Sequence, residues 1–173
     1  IFPKQFGGWT NTLSYKGFSL DVFFQYDYGR VRQDQQFLFA MRMTSATFNT
    51  LEYGYDTRCR KPGDIVPTPR PFTSTAETNS VSWETGTRYF FKADYIRLKQ
   101  LTLAYDVPST LIKRLSLDGI KFYVQGLNLW TYTKWPGYDP EFVSGNGGTT
   151  FTGANSGIIP TSKNVTVGLQ VRF

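Results

Sequence analysis

Apolar and polar residues alternate along several stretches of the chain, which is the period of two expected for β-strands. The clearest stretch is residues 18–27, where aromatic and aliphatic residues occupy every second position. Polar residues such as Asp21 and Gln25 lie between them. Residues 163–173 alternate in the same way and end with Phe173 on the apolar side. Each of these strands is therefore expected to present one apolar face and one polar face.

The alternation predicts about five strands, joined in turn by short and long connections. The strands are expected near residues 6–15, 18–27, 93–106, 120–132 and 163–173. Lys16 and Gly17 predict a two-residue hairpin turn, and a short connector follows Val107. Residues 28–91 and 134–162 form the long connections. This alternation of short and long connections is typical of an all-β, antiparallel, up-and-down transmembrane barrel with long external loops.

The apolar positions change parity inside the third predicted strand. Ile96 and Leu98 share one parity, whereas Leu101 and Leu103 share the other. The change falls near Lys99. It predicts either a β-bulge there or a shift from the burial pattern of the loops to that of the membrane.

The composition fits this picture and narrows the class of protein. Aromatic residues make up 17% of the chain and charged residues 18%, with a mean hydropathy of -0.34. No apolar run approaches the roughly 18 residues of a transmembrane helix. A barrel strand averages out as mildly polar because its residues alternate between lipid and lumen. The net charge of +6 is spread over single Lys and Arg residues, which argues against nucleic acid as a partner.

No combination of residues predicts catalysis, a metal or a cofactor. The chain contains no histidine, which excludes histidine-dependent triads and metal sites. Asp56, Asp64 and Glu77 lie in predicted loops without the spacing of an acid and base pair. Cys59 is the single cysteine and has no partner for an internal disulfide. The chain is therefore predicted not to be an enzyme.

Several stretches resemble the C-terminal part of the SusC/RagA family of TonB-dependent transporters. Residues 94–115 (DYIRLKQLTLAYDVPSTLIKRL) resemble a strand and turn of that family, and residues 121–142 (KFYVQGLNLWTYTKWPGYDPEF) its next strand and external loop. Residues 3–26 (PKQFGGWTNTLSYKGFSLDVFFQY) resemble the preceding hairpin. Residues 61–71 (KPGDIVPTPRP) are similar in kind to a loop of the family.

The resemblance implies the C-terminal part of a plugged outer-membrane barrel of about 22 strands. It implies import of glycans or peptides, energised by the TonB complex through a segment outside this chain. The plug domain would likewise lie elsewhere, with the remainder of the barrel. A SusD-like lipoprotein would close over the external loops, and Phe173 would carry the signal for barrel assembly.

Four residues of the predicted loops are candidates for contact with a ligand or partner. Trp83, Trp135 and Tyr138 offer either stacking surfaces at the mouth of the lumen or ordinary loop and interface packing. Asp139 could bond a ligand or fix a turn, since an aspartate before proline favours turn initiation.

A second interpretation of the same strands is a soluble or surface-anchored β-sandwich that binds carbohydrate. A sandwich needs a polar outward face on every strand, whereas a membrane barrel needs an apolar one. The direction in which the apolar residues face therefore separates the two interpretations.

Overall fold

The structure is a computed structural model that describes residues 2–41, 49–71, 87–112, 117–141 and 160–173. Its strands, in chain order, are β1 (Gln5–Tyr15), β2 (Phe18–Tyr28), β3 (Val31–Gln33), β4 (Phe90–Lys92), β5 (Tyr95–Asp106), β6 (Gly119–Thr133) and β7 (Asn164–Arg172). Five of these form one antiparallel sheet in the order β1-β2-β5-β6-β7. The expectation of an all-β, antiparallel sheet is confirmed. Among the described residues, no helix has the length and apolar character needed to cross a membrane.

Short elements extend the base of the first long connection. β3 and β4 pair with each other as a small antiparallel ladder. Helices α1 (Gln35–Ala40) and α2 (Glu52–Asp56) and a 3-10 turn (Thr87–Tyr89) lie between them. The connector between β5 and β6 contains one helical turn, α3 (Ser109–Ile112). Elements this short span too few residues to display a clear hydrophobic period, so the sequence pattern gives little sign of them.

The hairpin turn between β1 and β2 is the turn that the sequence predicts. Lys16 and Gly17 both have positive φ, 46° and 86°. This is the geometry of a two-residue type I′ turn, whose twist matches that of the flanking strands. The amide of Asp106 donates to the carbonyl of Gly17 at 2.8 Å, which ties the turn to the neighbouring strand β5.

One side of the sheet, the apolar face, carries apolar side chains on every strand. In the register, Leu13 lies opposite Leu20, Leu20 opposite Leu103, Leu103 opposite Val124, and Val124 opposite Val167. Leu20 is half-buried, and the other four are exposed among the described residues, with Val167 at 75%. Other large exposed side chains of this face are Trp9, Tyr15, Phe18, Phe122, Trp130, Tyr132 and Leu169.

The opposite side, the polar face, carries a matching polar row. Thr12 lies opposite Asp21, and the row continues through Thr102 and Gln125 to Thr166. The hydroxyl of Thr12 donates to Asp21 Oδ1 at 2.6 Å. The sheet is therefore two-sided in the sense that the sequence predicts. The buried apolar cluster among the described residues lies outside the sheet, in the first long connection, and consists of Leu38, Met41 and Tyr89.

Two aromatic rings of the polar face occupy the space over glycines on neighbouring strands. A Cβ atom at Gly8 would lie 2.6 Å from the ring of Phe23. The ring of Tyr123 fills the corresponding space at Gly168, which is its direct cross-strand partner. A side chain at either position would force the ring to move. Such aromatic cover compensates for the side chain that glycine lacks in a strand.

A β-bulge accounts for the change of parity in β5. The pairing passes from Leu98 to Gln100 on both neighbouring strands, so Lys99 is the additional residue. Across from it, Asn128 of β6 has a φ of 53° and interrupts the ladder of that strand. Of the two interpretations of the sequence, the bulge is the correct one. The bulge allows Lys99 to contact Glu141 on the polar face, and Arg97 contacts the same residue.

Candidate functional site

A cluster of ion pairs, the carboxylate clamp, lies on the polar face at the end from which the long connections leave. It consists of Asp139 and Glu141, which follow β6, and of Arg97 and Lys99 on β5. Arg97 Nη2 lies 2.6 Å from Asp139 Oδ1, and its Nη1 lies 2.7 Å from Glu141 Oε2. Lys99 Nζ contacts the two oxygens of Glu141 at 2.7 and 2.6 Å. The clamp therefore fastens the segment after β6 to the sheet.

Asp139 is the most enclosed carboxylate of the clamp, with 3% of its surface exposed. Its oxygens also accept hydrogen bonds from the amide of Glu141 at 2.9 Å and from the hydroxyl of Thr161 at 2.7 Å. Burial alone raises the pKa of Asp139. The hydrogen bonds from Arg97, Glu141 and Thr161 outweigh burial and hold that pKa below its ordinary value of 3.8. Asp139 is therefore ionised at neutral pH, as pairing with Arg97 requires.

Arg32 of β3 connects the first long connection to the same turn. Its Nη1 donates to the carbonyl of Pro140 at 2.6 Å, and its Nη2 to the carbonyl of Glu141 at 3.1 Å. Only 1% of Arg32 is exposed, and this burial lowers its pKa to about 10. The guanidinium is still protonated at neutral pH. Arg32 and the clamp thus hold the bases of both long connections against one another.

A second group of polar contacts closes the base of the first long connection. Asp94 Oδ1 accepts the amides of Gly29 and Arg30 at 2.7 and 3.1 Å. The side chain of Arg30 forms an ion pair with Asp27, and the carbonyl of Arg30 accepts the amide of Ala93 at 2.9 Å. These contacts hold together the two segments by which the chain leaves β2 and returns to β5.

The structure separates the residues that the sequence singles out for contacts. Trp135 is buried, 5% exposed, and packs edge-on against Phe91 with ring centroids 6.2 Å apart. Tyr138 is 70% exposed and Phe173 is 89% exposed. Trp83 lies outside the described residues. The contact roles of Trp83, Trp135, Tyr138 and Asp139 and the assembly role of Phe173 stay predictions.

Sequence reasoning alone missed the role of Arg32 and the pairing inside the clamp. A signal for the pairing is present in the sequence, since Asp139 and Glu141 are spaced by two residues, as are Arg97 and Lys99. Alternate residues of an extended segment project to the same side, so two carboxylates can meet two cations. Nothing in the sequence pattern marks the bonds from Arg32 to Pro140 and Glu141, because backbone carbonyls accept them and every residue carries one.

The contacts of this site fix one part of the chain to another through ion pairs and hydrogen bonds. Among the described residues, no group of three or more His, Cys, Asp or Glu side chains is placed to hold a metal ion. The clamp carboxylates are paired with cations, and Asp34 bonds the amide of Phe37 at 3.0 Å, which begins helix α1. Burial raises the pKa of Asp34.

Comparison with known sequences finds TonB-dependent receptors. No family model matches the chain. The chain is 28% identical over 171 residues to TonB-dependent receptor P3 of Formosa agariphila, and 30% identical over 181 residues to TonB-dependent receptor P26 of the same organism. These alignments cover 96% and 99% of the chain, but only 16% and 17% of the two relatives. The chain thus spans about a sixth of their length.

Comparison with solved structures finds the RagAB peptide transporter. The fold matches a chain of that transporter with a TM-score of 0.77, 25% identity and 99% coverage of this chain. It matches the RagAB peptide importer in the open-open state with a TM-score of 0.77 and 24% identity. In both cases the match spans 17% of the other chain. Over nearly its whole length the chain therefore resembles one part of the TonB-dependent receptors of the SusC/RagA type.

Proposed function

We propose that this chain forms the C-terminal part of the wall of an outer-membrane β-barrel that imports glycans or peptides. The whole barrel would contain about 22 strands, the size of plugged outer-membrane transporters. The wall positions ligands and partners and performs no catalysis. The RagAB structures belong to a peptide importer, and the curated relatives are named TonB-dependent receptors, which supports a transport role.

The observation that carries the proposal is the two-sided sheet. All five strands carry exposed apolar side chains on one face, and the polar row runs across the opposite face. A soluble sandwich buries its apolar face against a second sheet, whereas a barrel turns that face to lipid and its polar face to the lumen. Exposed apolar surface that runs across a whole sheet is uncommon on soluble monomers. The barrel interpretation therefore explains why the apolar face of this sheet is uncovered, and the sandwich interpretation does not.

The edges of the sheet support the same interpretation. β1 and β7 each pair on one side only within the described residues. In hydrocarbon an unpaired backbone group costs several kcal/mol, so both edges need partners. About five strands cannot close a membrane barrel, since small ones use about eight. We infer that β1 and β7 pair with strands outside this chain, with β7 meeting the first strand of the barrel.

The lengths of the connections support a proposed orientation of the sheet in the membrane. Residues 29–94 and 134–163 leave one end of the sheet, and the turn at residues 16–17 and the connector at residues 107–118 lie at the other. Outer-membrane barrels have long external loops and short periplasmic turns. The end that carries the clamp would therefore face outward. A SusD-like lipoprotein would cover it, while the TonB complex would act through a segment outside this chain.

Uptake by intact cells tests the proposal. Host cells that lack the gene for the full-length receptor are compared with cells that carry it on a plasmid. Both receive labelled peptide and oligosaccharide mixtures, with and without an uncoupler of the proton gradient. We expect receptor-dependent, uncoupler-sensitive uptake of one class, and co-purification of a lipoprotein with the receptor in detergent. Equal uptake by both strains for both classes would contradict the proposal.

A further inference from the structure

A notch in the apolar face lies at the end of the sheet from which the long connections leave. One row of the register runs across four strands, from Gly7 through Tyr26 and Ile96 to Tyr132. The ring of Tyr26 lies over Gly7, where an added Cβ would be 3.1 Å from it. The side chain of Ile96 is shorter than the tyrosines on either side, so the row is lowest in its middle. The resulting pocket, the interfacial notch, has a volume of about 720 Å³.

The apolar face changes its character at this row. On β6, the exposed Trp130 and Tyr132 are followed two residues later by Lys134. On β5, Ile96 is preceded two residues earlier by Asp94. Apolar residues, then aromatic residues, then charged residues are typical of the boundary between hydrocarbon and headgroups. Under the proposed function and orientation, on which this inference rests, the interfacial notch lies at the outer boundary of the membrane.

Two lysines supply the charge of the interfacial notch. Lys92 and Lys134 both line it, and both are exposed. The two aspartates of the lining are engaged in other contacts, because Asp27 pairs with Arg30 and Asp94 Oδ1 accepts two backbone amides. Within the described part of the chain, no ion pair joins either lysine to a carboxylate. The interfacial notch therefore presents two positive charges beside an aliphatic and aromatic surface.

We propose that the interfacial notch binds one lipid of the outer leaflet through a phosphate-bearing headgroup, with Lys92 and Lys134 at the phosphate and an acyl chain along Ile96. A phosphate monoester carries a charge of about −1.5 to −2 at neutral pH, which two ammonium groups match. Lysine binds phosphate as a point charge and needs no fixed direction of approach.

Other occupants match only half of this surface. An uncharged lipid would leave both lysines without a counter-charge, although anionic headgroups attract lysines near a membrane surface. A free phosphate ion would leave the apolar surface around Ile96 uncovered, and burial of that surface favours a ligand with an acyl chain. The combination of charge and apolar surface therefore favours a lipid with phosphate in its headgroup.

The test uses the purified full-length receptor in a non-ionic detergent, with Trp130→p-benzoylphenylalanine as a photo-reactive reporter. Trp130 is 50% exposed, and its ring stacks on that of Tyr132 with centroids 6.3 Å apart. It lies beside the interfacial notch without lining it. The probes are lipid A with its phosphates and the same lipid with its phosphates removed, with inorganic phosphate as a competitor. Lipid crosslinked at position 130 is quantified by mass spectrometry.

The variants Lys92→Gln and Lys134→Gln are compared with Lys16→Gln as a matched control. Lys16 Nζ lies 5.1 Å from the centre of the Tyr15 ring, so it is also a lysine beside an exposed tyrosine. Lys16 lies in the hairpin turn at the opposite end of the sheet, outside the interfacial notch.

Each lysine near an anionic headgroup strengthens binding about fivefold. We therefore expect Lys92→Gln and Lys134→Gln each to lower crosslinking of the phosphorylated lipid about fivefold, and Lys16→Gln to leave it unchanged. Removal of the phosphates should lower crosslinking in the native receptor by about the product of these two losses.

Equal crosslinking of the two lipids, or equal losses in the three lysine variants, would overturn the inference. Displacement of the lipid by millimolar inorganic phosphate would overturn the assignment to a lipid in favour of a free ion. Absence of any crosslinked lipid would overturn it as well. None of these results decides whether the receptor imports glycans or peptides, because uptake by intact cells tests that proposal separately.

Discussion

Replacement of Asp139 by alanine is expected to detach the segment after β6 without unfolding the sheet. Asp139 lies outside the strands of the sheet, and its side chain bonds Arg97, Glu141 and Thr161. In the variant, Arg97 keeps Glu141 as a carboxylate partner. The loss should therefore appear as opening of residues 134–141.

The size of the effect follows from burial. The side chains of Arg97 and Asp139 are 4% and 3% exposed, so the pair is screened little by water. Removal of one partner of a buried ion pair typically costs about 3–5 kcal/mol. Glu141 still neutralises Arg97. We therefore expect Asp139→Ala to lower the free energy of opening of the segment by about 3 kcal/mol, the lower end of that range. This raises the open fraction of the segment by about a hundredfold.

Amide hydrogen exchange of the full-length receptor measures this opening. The amide of Trp135 is a suitable reporter because it donates to Thr133 Oγ1 at 3.0 Å and not to Asp139. Asp106→Ala is the matched control. Asp106 pairs with Lys121 at 3.2 Å, with side chains 46% and 36% exposed, and such surface pairs contribute about 0–1 kcal/mol. If Trp135 exchanges equally fast in both variants, the clamp does not hold the segment.

Three further outcomes are expected. Val167→Arg, on the apolar face, should cost roughly 2–4 kcal/mol of stability in denaturant titrations in lipid if position 167 lies near the bilayer midplane, whereas Thr166→Arg on the polar face should cost little. Deletion of Phe173 should slow assembly, seen as lower receptor levels in outer-membrane fractions; normal levels would reject a signal there. The pKa of Asp139 lies below 3.8, so its contribution to stability is complete above that value and is lost only as the pH falls through the lowered pKa. Exchange at Trp135 should therefore show the same protection factor at pH 5 and pH 7, and a loss of protection in that interval would contradict the assignment.

Much of the sheet could be predicted from the sequence because its two faces differ so clearly. Strands such as Phe18–Tyr28 alternate over their length, and the register then fixes their neighbours. The change of parity near Lys99 predicts either a bulge or a shift of the burial pattern, and the ladder contains the bulge. The short ladder of β3 and β4 could not be predicted in this way, because three residues contain no measurable period.

The candidate site was less predictable because it depends on contacts between distant segments. Asp139 and Arg97 are 42 residues apart in the chain, and Arg32 is 108 residues from Pro140. The sequence suggested that Asp139 either fixes a turn or meets a ligand, and the structure shows it bonded to its own loop and to the sheet. Only folding brings these charges together, so the spacing within each pair indicates that the two pairs could match but not that they meet.

The central claim is that the apolar face of the sheet meets lipid and the polar face meets the lumen. In a full-length protein whose native cysteines, Cys59 included, are replaced by serine, single cysteines at Val167 and Thr166 can each carry an environment-sensitive fluorophore after reconstitution into bilayers. The two positions are adjacent residues on opposite faces. Brominated lipids quench only fluorophores that touch the acyl chains. The account predicts strong quenching at position 167 and weak quenching at position 166. Equal quenching at the two positions, or stronger quenching at position 166, would contradict it.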